Sequence, residues 1–152
     1  MKMRQWNEIL FPLFLSTLSS CTLASYTDEE LRDELNNMAM RAISRFRFPR
    51  VKLDYTIDED GNGSFNNNIT MSELEVIICW MKVLWLEYQL SKERNYENIY
   101  VDKDVKAFSS GNLIASIVKA LDTFTTQARK IEEFYYRSNN GTPTIGDVNA
   151  DE

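Results

Sequence analysis

Residues 69–112 read ITMSELEVIICWMKVLWLEYQLSKERNYENIYVDKDVKAFSSGN, and this stretch decides the fold. Its first half is apolar in too many directions for a helix with one buried face, which predicts a helix buried on several sides. Its second half is polar and leads into another long apolar repeat. The stretch therefore predicts a compact helical module built around one central helix, and it contains no obvious catalytic motif.

The central helix has a defined start and end in the sequence. Thr70-Met71-Ser72-Glu73 has the form of a capping box, in which the Thr hydroxyl and the Glu carboxylate satisfy free amides of the first turn. The polar residues 91–98 are expected to end the helix. The apolar side chains expected to form the core are Leu74, Ile77, Ile78, Met81, Val83, Leu84, Trp85, Leu86, Tyr88 and Leu90.

A second apolar repeat predicts the last helix. Residues 105–112 are expected to cross over from the central helix, with Ser109, Ser110 or Asn112 as candidate N-caps. The repeat alternates steps of four and three residues, which is typical of a seam that packs antiparallel against a neighbouring helix. Its members are Leu113, Ile117, Leu121, Phe124, Ala128, Ile131 and Tyr135.

Another helix is predicted before the central one. Residues 27–30 (Thr-Asp-Glu-Glu) form a second capping box, and apolar side chains then recur at helical spacing as far as Phe46. Pro49 is expected to stop this helix, because the residue before a proline is pushed out of the helical conformation.

The segment between these helices has the pattern of a hairpin. Residues 51–57 alternate apolar and polar side chains, which is the period of a half-buried strand, and residues 60–63 (Asp-Gly-Asn-Gly) are a turn sequence. Residues 51–68 are therefore predicted to form an inserted β-hairpin or a projecting loop.

The composition favours one helical domain without catalytic chemistry. The chain has 152 residues, with 17 Lys and Arg against 23 Asp and Glu, a net charge of -6 and no histidine. The length suits a single core, and the negative charge argues against a basic surface that wraps nucleic acid. The commonest general base and metal ligand is missing. We predict a mainly α protein, a small helical bundle with an inserted β-hairpin or loop and an extended C-terminal arm, which is not an enzyme and holds no cofactor.

The N-terminal residues 1–26 allow two interpretations. A basic start, an apolar run and the sequence Leu18-Ser19-Ser20-Cys21 match a lipoprotein signal, which would make the protein an envelope lipoprotein lipidated at Cys21. Polar residues ahead of the run and Pro12 within it favour instead an amphipathic helix over about residues 5–15 that docks on the domain or on a neighbouring subunit. No other segment has the run of about 18 apolar residues that crosses a bilayer.

The C-terminal residues 138–152 have a different composition from the helical domain, residues 27–137. They are rich in Asn, Gly, Thr and acidic residues and cannot bury enough apolar surface to offset chain entropy. We expect a flexible arm, or an arm that becomes ordered on a partner. Cys79 lies in an apolar run and is expected to pack as a small hydrophobic residue rather than to form a disulfide.

Two polar clusters are candidate sites. Residues 58–65 reproduce several positions of an EF-hand calcium loop, but Ile69 stands where that loop needs a bidentate Glu, so a plain hairpin turn is favoured over a metal site. A basic cluster lies where the first long helix meets the predicted strand. Its side chains are candidates for contact with a neighbouring subunit or with DNA in a lumen, or for a solvated helix end: Arg41, Arg45, Arg47, Arg50 and Lys52.

The order of these signals resembles the head-to-tail adaptor, or connector, proteins of tailed bacteriophages. The resemblance runs from about residue 27 to residue 137. It is carried by Phe46-Arg47-Phe48-Pro49, a strand-and-loop insert, residues 69–77 (ITMSELEVI), residues 85–90 (WLEYQL) and residues 100–109 (YVDKDVKAFS).

The resemblance implies a structural virion protein at the head-tail interface, assembled in the host cytoplasm. It implies a ring of identical subunits, usually dodecameric, between the portal protein and a downstream neck or tail protein, with double-stranded DNA passing through the lumen and no membrane contact. Stopper and other neck proteins share this size and helical content. The insert and the C-terminal arm are the implied docking elements, with candidate contacts at Asp58, Asp60, Asn62, Phe65, Ile145 and Val148.

Overall fold

A computed structural model shows a mainly α-helical protein with a small antiparallel hairpin, which confirms the predicted fold class. The structure describes residues 5–18, 27–99 and 104–139, and the side chains of 5–18, 27–92 and 113–138. Cys21, Ile145 and Val148 therefore lie outside the described residues. The elements are α1 (Leu10–Ser16), α2 (Asp28–Arg45), β1 (Tyr55–Ile57), β2 (Gly63–Phe65), α3 (Met71–Ile99) and α4 (Asp104–Asn139).

Helix α3 is the centre of the bundle, as the apolar pattern predicts. It packs against α1, α2 and α4. Because α3 is covered by neighbours on three sides, its apolar residues are not confined to one face of the helix, and its buried side chains point in many directions. They are Leu74, Val76, Ile77, Ile78, Trp80, Met81, Val83, Leu84, Trp85 and Leu90.

Helices α3 and α4 are both longer than predicted. The backbone of α3 continues to Ile99, so the expected end within residues 91–98 is wrong, and α4 begins at Asp104, so caps at Ser109, Ser110 or Asn112 are also wrong. Polarity alone does not stop a helix, because Lys, Glu and Arg are good helix formers and no proline interrupts either segment.

The two helices run antiparallel, because Glu73 near the start of α3 contacts Tyr135 near the end of α4, while Lys82 lies 5.9 Å from the ring of Phe124. The predicted seam on α4 is partly confirmed. Its apolar side chains Leu121, Phe124, Ala128, Ile131 and Tyr135 pack against the core, whereas Leu113 is exposed.

Helix α2 begins at the predicted capping box. The Thr27 hydroxyl accepts a hydrogen bond from the Glu30 amide, and the Glu30 carboxylate accepts one from the Thr27 amide at 3.0 Å. The hydrogen bond from the Thr27 amide, and after it that from the Thr27 side chain, stabilises the charged carboxylate and lowers the pKa of Glu30. The helix ends at Arg45, and Phe46 is its buried C-cap rather than a helical residue, three positions before Pro49.

The hairpin exists but is shorter than predicted. Tyr55 pairs with Phe65 and Ile57 with Gly63, and the turn uses a positive φ of 82° at Gly61. The expected strand over residues 51–57 is wrong in its first half: β1 begins at Tyr55, and before it the Asn66 N–H donates to the Asp54 carbonyl and the Asn67 side chain to the Lys52 carbonyl, both at 2.9 Å, without extending the strand. The expected burial alternation also stops early: Leu53 is buried, whereas Tyr55 and Ile57 are exposed.

The N-terminal segment packs into the bundle through α1 and the residues before it. Trp6 is fully buried, donates its backbone N–H to the Gly63 carbonyl at 2.9 Å, and has its ring 5.6 Å from that of Phe65. Leu10 and Phe14 of α1 are also fully buried. Pro12 fits α1 because it lies in the first turn, where a backbone N–H has no helical partner.

Candidate functional site

The predicted basic cluster is divided into two parts by its contacts. Arg45 donates two hydrogen bonds to the Glu87 carboxylate, at 3.0 and 3.1 Å, and its guanidinium lies 5.8 Å from the Trp80 ring centroid. Arg41 lies 3.9 Å from the same carboxylate. These two arginines therefore tie the end of α2 to α3, and Glu87 neutralises part of their charge.

The other part of the cluster follows α2, in the connection 46–52. Here backbone amides make the contacts: the Arg47 N–H donates to the Glu132 carboxylate at 2.6 Å, and the Arg50 N–H donates to the Tyr135 hydroxyl at 2.9 Å. Glu132 and Tyr135 are three residues apart and lie on one face of α4. They fix the connection to α4 and leave the side chains of Arg47, Arg50 and Lys52 exposed.

A buried polar network supports this arrangement. Tyr135 donates its hydroxyl to the Glu73 carboxylate at 3.0 Å, and that carboxylate, on a residue only 2% exposed, also accepts from the amide and the hydroxyl of Thr70. Burial raises the pKa of Tyr135, the amide of Arg50 opposes the rise, and Glu73 adds to it. The network connects the start of α3, the end of α4 and the connection after α2.

The sequence did not predict this network, although the place of a tyrosine on the apolar seam could have indicated that Tyr135 belongs to one. Glu73 was expected to cap a helix, and its carboxylate does accept the Thr70 amide. A tyrosine on an apolar seam needs a partner for its hydroxyl when it is buried. A buried Tyr135 therefore implies an acceptor for its hydroxyl. Local sequence patterns could not identify Glu73 as that acceptor, because the two residues are 62 positions apart.

A groove lies beside this network, between the end of α2, the connection, α3 and α4. Its volume is about 700 Å³. Phe48, which is 59% exposed, and Tyr136 form its rim, with ring centroids 5.3 Å apart. Trp80 is buried along the groove wall, and its Nε1 has no hydrogen-bond partner among the described residues. The lining residues are Ser44, Arg45, Arg47, Phe48, Trp80, Val83, Glu87, Thr125, Arg129, Glu132, Glu133 and Tyr136.

The charges around the groove are unevenly matched. Glu87 pairs with Arg45, and Glu133 pairs with Arg137 one turn further along α4. Within the described part of the chain, the side chains of Arg47 and Arg129 have no ion pair. The groove therefore presents two guanidinium groups without an ion pair next to two exposed aromatic rings, together with the Glu132 carboxylate, which accepts the Arg47 amide.

The predicted docking residues of the hairpin have different environments. Asp58 closes the turn, since its carboxylate accepts the Asn62 amide at 2.8 Å, and Asp60 is exposed at the tip. Phe65 must be removed from the docking candidates, because its side chain is fully buried against Trp6. A buried ring at this position stabilises the fold and offers no surface to a partner.

The described residues contain no cluster that points to metal or nucleophilic chemistry. No group of three Cys, Asp or Glu side chains among them could hold a metal ion, and the hairpin tip uses the Asp58 carboxylate to close its own turn. Cys79 is half-buried, and burial raises the pKa of its thiol, so the thiol is protonated near neutral pH. A protonated thiol is a poor nucleophile.

Comparisons with family models, with curated proteins and with solved structures found no match to this chain. In the ranges that the structure describes, no helix combines the length and the apolar character needed to cross a membrane. The groove and the hairpin tip each combine exposed charged side chains with exposed apolar side chains, and they are the candidate interaction surfaces.

Proposed function

We propose that this protein is a structural component of a tailed-phage virion, a head-to-tail adaptor that forms a ring between the portal and the next neck or tail protein. The observation that carries the proposal is the order and packing of its elements. A helix, a hairpin insert, a central buried helix and a long antiparallel helix follow one another along the chain, and they contain the sequence signals on which the resemblance rests.

The surface supports an assembly role. Phe134 is 72% exposed and Phe48 is 59% exposed, and Met71 and Val118 add further apolar surface. Large aromatic side chains outside the core are typical of protein interfaces, where Phe, Tyr, Met and Arg are enriched. A subunit that contacts neighbours on several sides would bury such residues in its interfaces.

The charge supports a channel rather than a DNA-binding surface. The net charge is -6. Each phosphate that a protein neutralises strengthens its attachment to DNA, so a ring through which DNA must move benefits from few such contacts. Arg41 and Arg45 already pair with Glu87, which reduces their capacity to hold phosphates.

The proposal is tested by locating the protein in phage particles. The full chain is expressed with its cognate portal, and purified complexes and virions are imaged by cryo-electron microscopy. We expect a ring of identical copies at the portal vertex, on the side facing the tail, and a fixed ratio of this protein to portal by quantitative mass spectrometry. A protein that is absent from the vertex, or present there as a single copy, would contradict the proposal.

Measurement of the intact mass of the protein in the same material distinguishes the adaptor from an envelope lipoprotein. Processing as a lipoprotein would remove about 20 residues and add lipid at Cys21. An unprocessed mass in virions supports the adaptor proposal, and a lipid-modified chain in the cell envelope contradicts it.

A further inference from the structure

We infer that neighbouring copies of this chain bind head to tail, with the acidic hairpin tip of one copy seated in the groove of the next. The hairpin tip is residues 57–60, Ile-Asp-Glu-Asp. The groove contributes Arg47, Arg129, Phe48 and Tyr136. The inference rests on the proposed ring function and names the contact that joins its subunits.

The exposed charged side chains that have no ion pair are opposite in sign on the two surfaces. Glu59 and Asp60 are exposed at the tip, and no hydrogen bond or ion pair to another described residue holds their carboxylates. The groove offers Arg47 and Arg129, whose side chains also have no ion pair among the described residues. Two carboxylates therefore meet two guanidinium groups, and arginine forms strong paired hydrogen bonds with carboxylates.

The apolar parts match as well. Ile57 is 38% exposed on β1, and Tyr55 is exposed on the same face, since strand side chains alternate with a period of two. The rim of the groove exposes Phe48 and Tyr136. Joining these side chains removes apolar surface from water, and the dry surroundings strengthen the ion pairs beside them.

The tip cannot reach the groove of its own chain. The Gly61 carbonyl accepts a hydrogen bond of 2.7 Å from the Asn36 side chain, and the Arg32 guanidinium packs against Gly61, so the hairpin is fixed to the first half of α2. Arg45 lines the groove nine residues further along. At 3.6 residues per turn this is about two and a half turns, or roughly 14 Å, so the two sites lie on opposite faces of α2. The occupant must come from a second copy.

The groove is less suited to DNA. Its lining includes Glu87, Glu132 and Glu133, which lie among the arginines. Duplex DNA carries about one negative charge per 1.7 Å of its length, so a backbone laid along the groove would bring phosphates against these carboxylates. A hairpin tip, in contrast to DNA, carries only a few carboxylates, and each of them can be placed next to an arginine.

A contact between two different surfaces has a consequence for assembly. Each copy presents one tip and one groove, so every bound copy offers a free tip and a free groove to the next. Such a head-to-tail contact produces a ring when the rotation between copies closes. Because tip and groove face opposite sides of α2, one copy can bind two neighbours at once.

Paired charge reversals test the contact. One variant carries Arg47→Glu and Arg129→Glu, and the other carries Glu59→Arg and Asp60→Arg. Each full-length chain is assembled on its cognate portal, and ring formation is followed by native mass spectrometry and electron microscopy. We expect either variant alone to assemble about tenfold or more weakly, with the loss greatest at low salt, because like charges then face each other.

An equal mixture of the two variants is the decisive sample. The tip of each variant is then complementary to the groove of the other, so we expect rings in which the two chains alternate, distinguishable by mass. Restored assembly also shows that both variants are folded. Lys130→Glu on α4 and Asp33→Arg on α2 are matched controls, since both residues are exposed and neither belongs to the tip or the groove, and we expect wild-type assembly from each.

Failure of the tip–groove contact can be distinguished from failure of the proposed adaptor function. Wild-type rings together with unaffected variants, or a mixture that does not recover, would overturn the head-to-tail contact and leave the adaptor function standing. Groove variants that still form rings but no longer bind the portal would place the portal in the groove and likewise overturn it. Failure of the wild-type chain to form rings on the portal would contradict the adaptor function itself.

Discussion

Tyr135 connects α4 to the start of α3 and to the connection after α2. Its hydroxyl donates to Glu73 and accepts from the Arg50 amide, and its ring lies 5.1 Å from that of Phe46. The sequence predicted its place on the seam from spacing alone. Its polar role depends on residues that are 62 and 85 positions away, and local patterns contain no information about such pairs.

Removal of this hydroxyl should destabilise the protein. We expect Tyr135→Phe to lower the free energy of unfolding by about 1–3 kcal/mol, because a buried carboxylate and a backbone amide each lose a partner. Urea denaturation measures the change. Tyr136→Phe is the matched control, since its ring is at the surface, and we expect a change within about 0.5 kcal/mol. Equal effects of the two substitutions would show that the network is not important for stability.

The same substitution should alter the response to alkaline pH. The folded pKa of Tyr135 is raised above the ordinary value near 10, so folding favours the neutral hydroxyl. The stabilisation is complete below about pH 10 and is lost as the pH rises through the folded pKa. We therefore expect the stability difference between wild type and Tyr135→Phe to narrow above pH 10, and a constant difference would contradict this assignment.

At the scale of elements, helix boundaries marked by a specific side-chain signal were predicted better than boundaries marked only by polar composition. The Thr27 box marks the start of α2, because a cap requires particular side chains at fixed spacing. The end of α3 has no such requirement: charged residues continue a helix as well as they solvate a loop, and the start of α4 at Asp104 was missed for the same reason. The hairpin was located from its turn, but its length depends on pairing with residues after the turn.

The contact between β2 and the N-terminal segment leaves no room for a side chain at Gly63. A Cβ at Gly63 would overlap the ring of Trp6. We expect Gly63→Ala to cost about 1–3 kcal/mol of unfolding free energy, because a buried indole has little room to move. Ser64→Ala, in the same strand and half-exposed, should change stability by less than about 0.5 kcal/mol. Chemical denaturation of both variants makes the comparison, and a neutral Gly63→Ala would mean that Trp6 is loosely packed.

For the whole molecule, the N-terminal segment belongs to the same core as the bundle. Trp6, Leu10 and Phe14 are fully buried in one cluster with residues of α2, α3 and α4. The predicted docking of this segment could not specify which surface it covers, because the receiving surface is formed by the hairpin and α3 together. The sequence likewise could not show that Arg47 and Arg129, 82 positions apart, line one groove.

Two phenylalanines test whether the molecule unfolds as one unit. Phe14 is fully buried and Phe48 is exposed. We expect Phe14→Ala to cost about 3–5 kcal/mol and to shift a single cooperative transition, because the cavity destabilises the shared core. Phe48→Ala should cost less than about 1 kcal/mol. If Phe14→Ala prevents folding altogether, Phe14→Leu supplies the smaller change, and a separate early transition would contradict a single unit.

The position of Trp6 against Gly63 and Phe65 also has a consequence during synthesis. Trp6 leaves the ribosome about 60 residues before the hairpin that covers it. At about 5–20 residues per second, the aromatic and aliphatic side chains near the N-terminus wait roughly 3–12 s for their partners. For that time the nascent chain presents an uncovered apolar segment of the kind that chaperones bind, and the segment becomes covered only after the hairpin and then α3 have been synthesised.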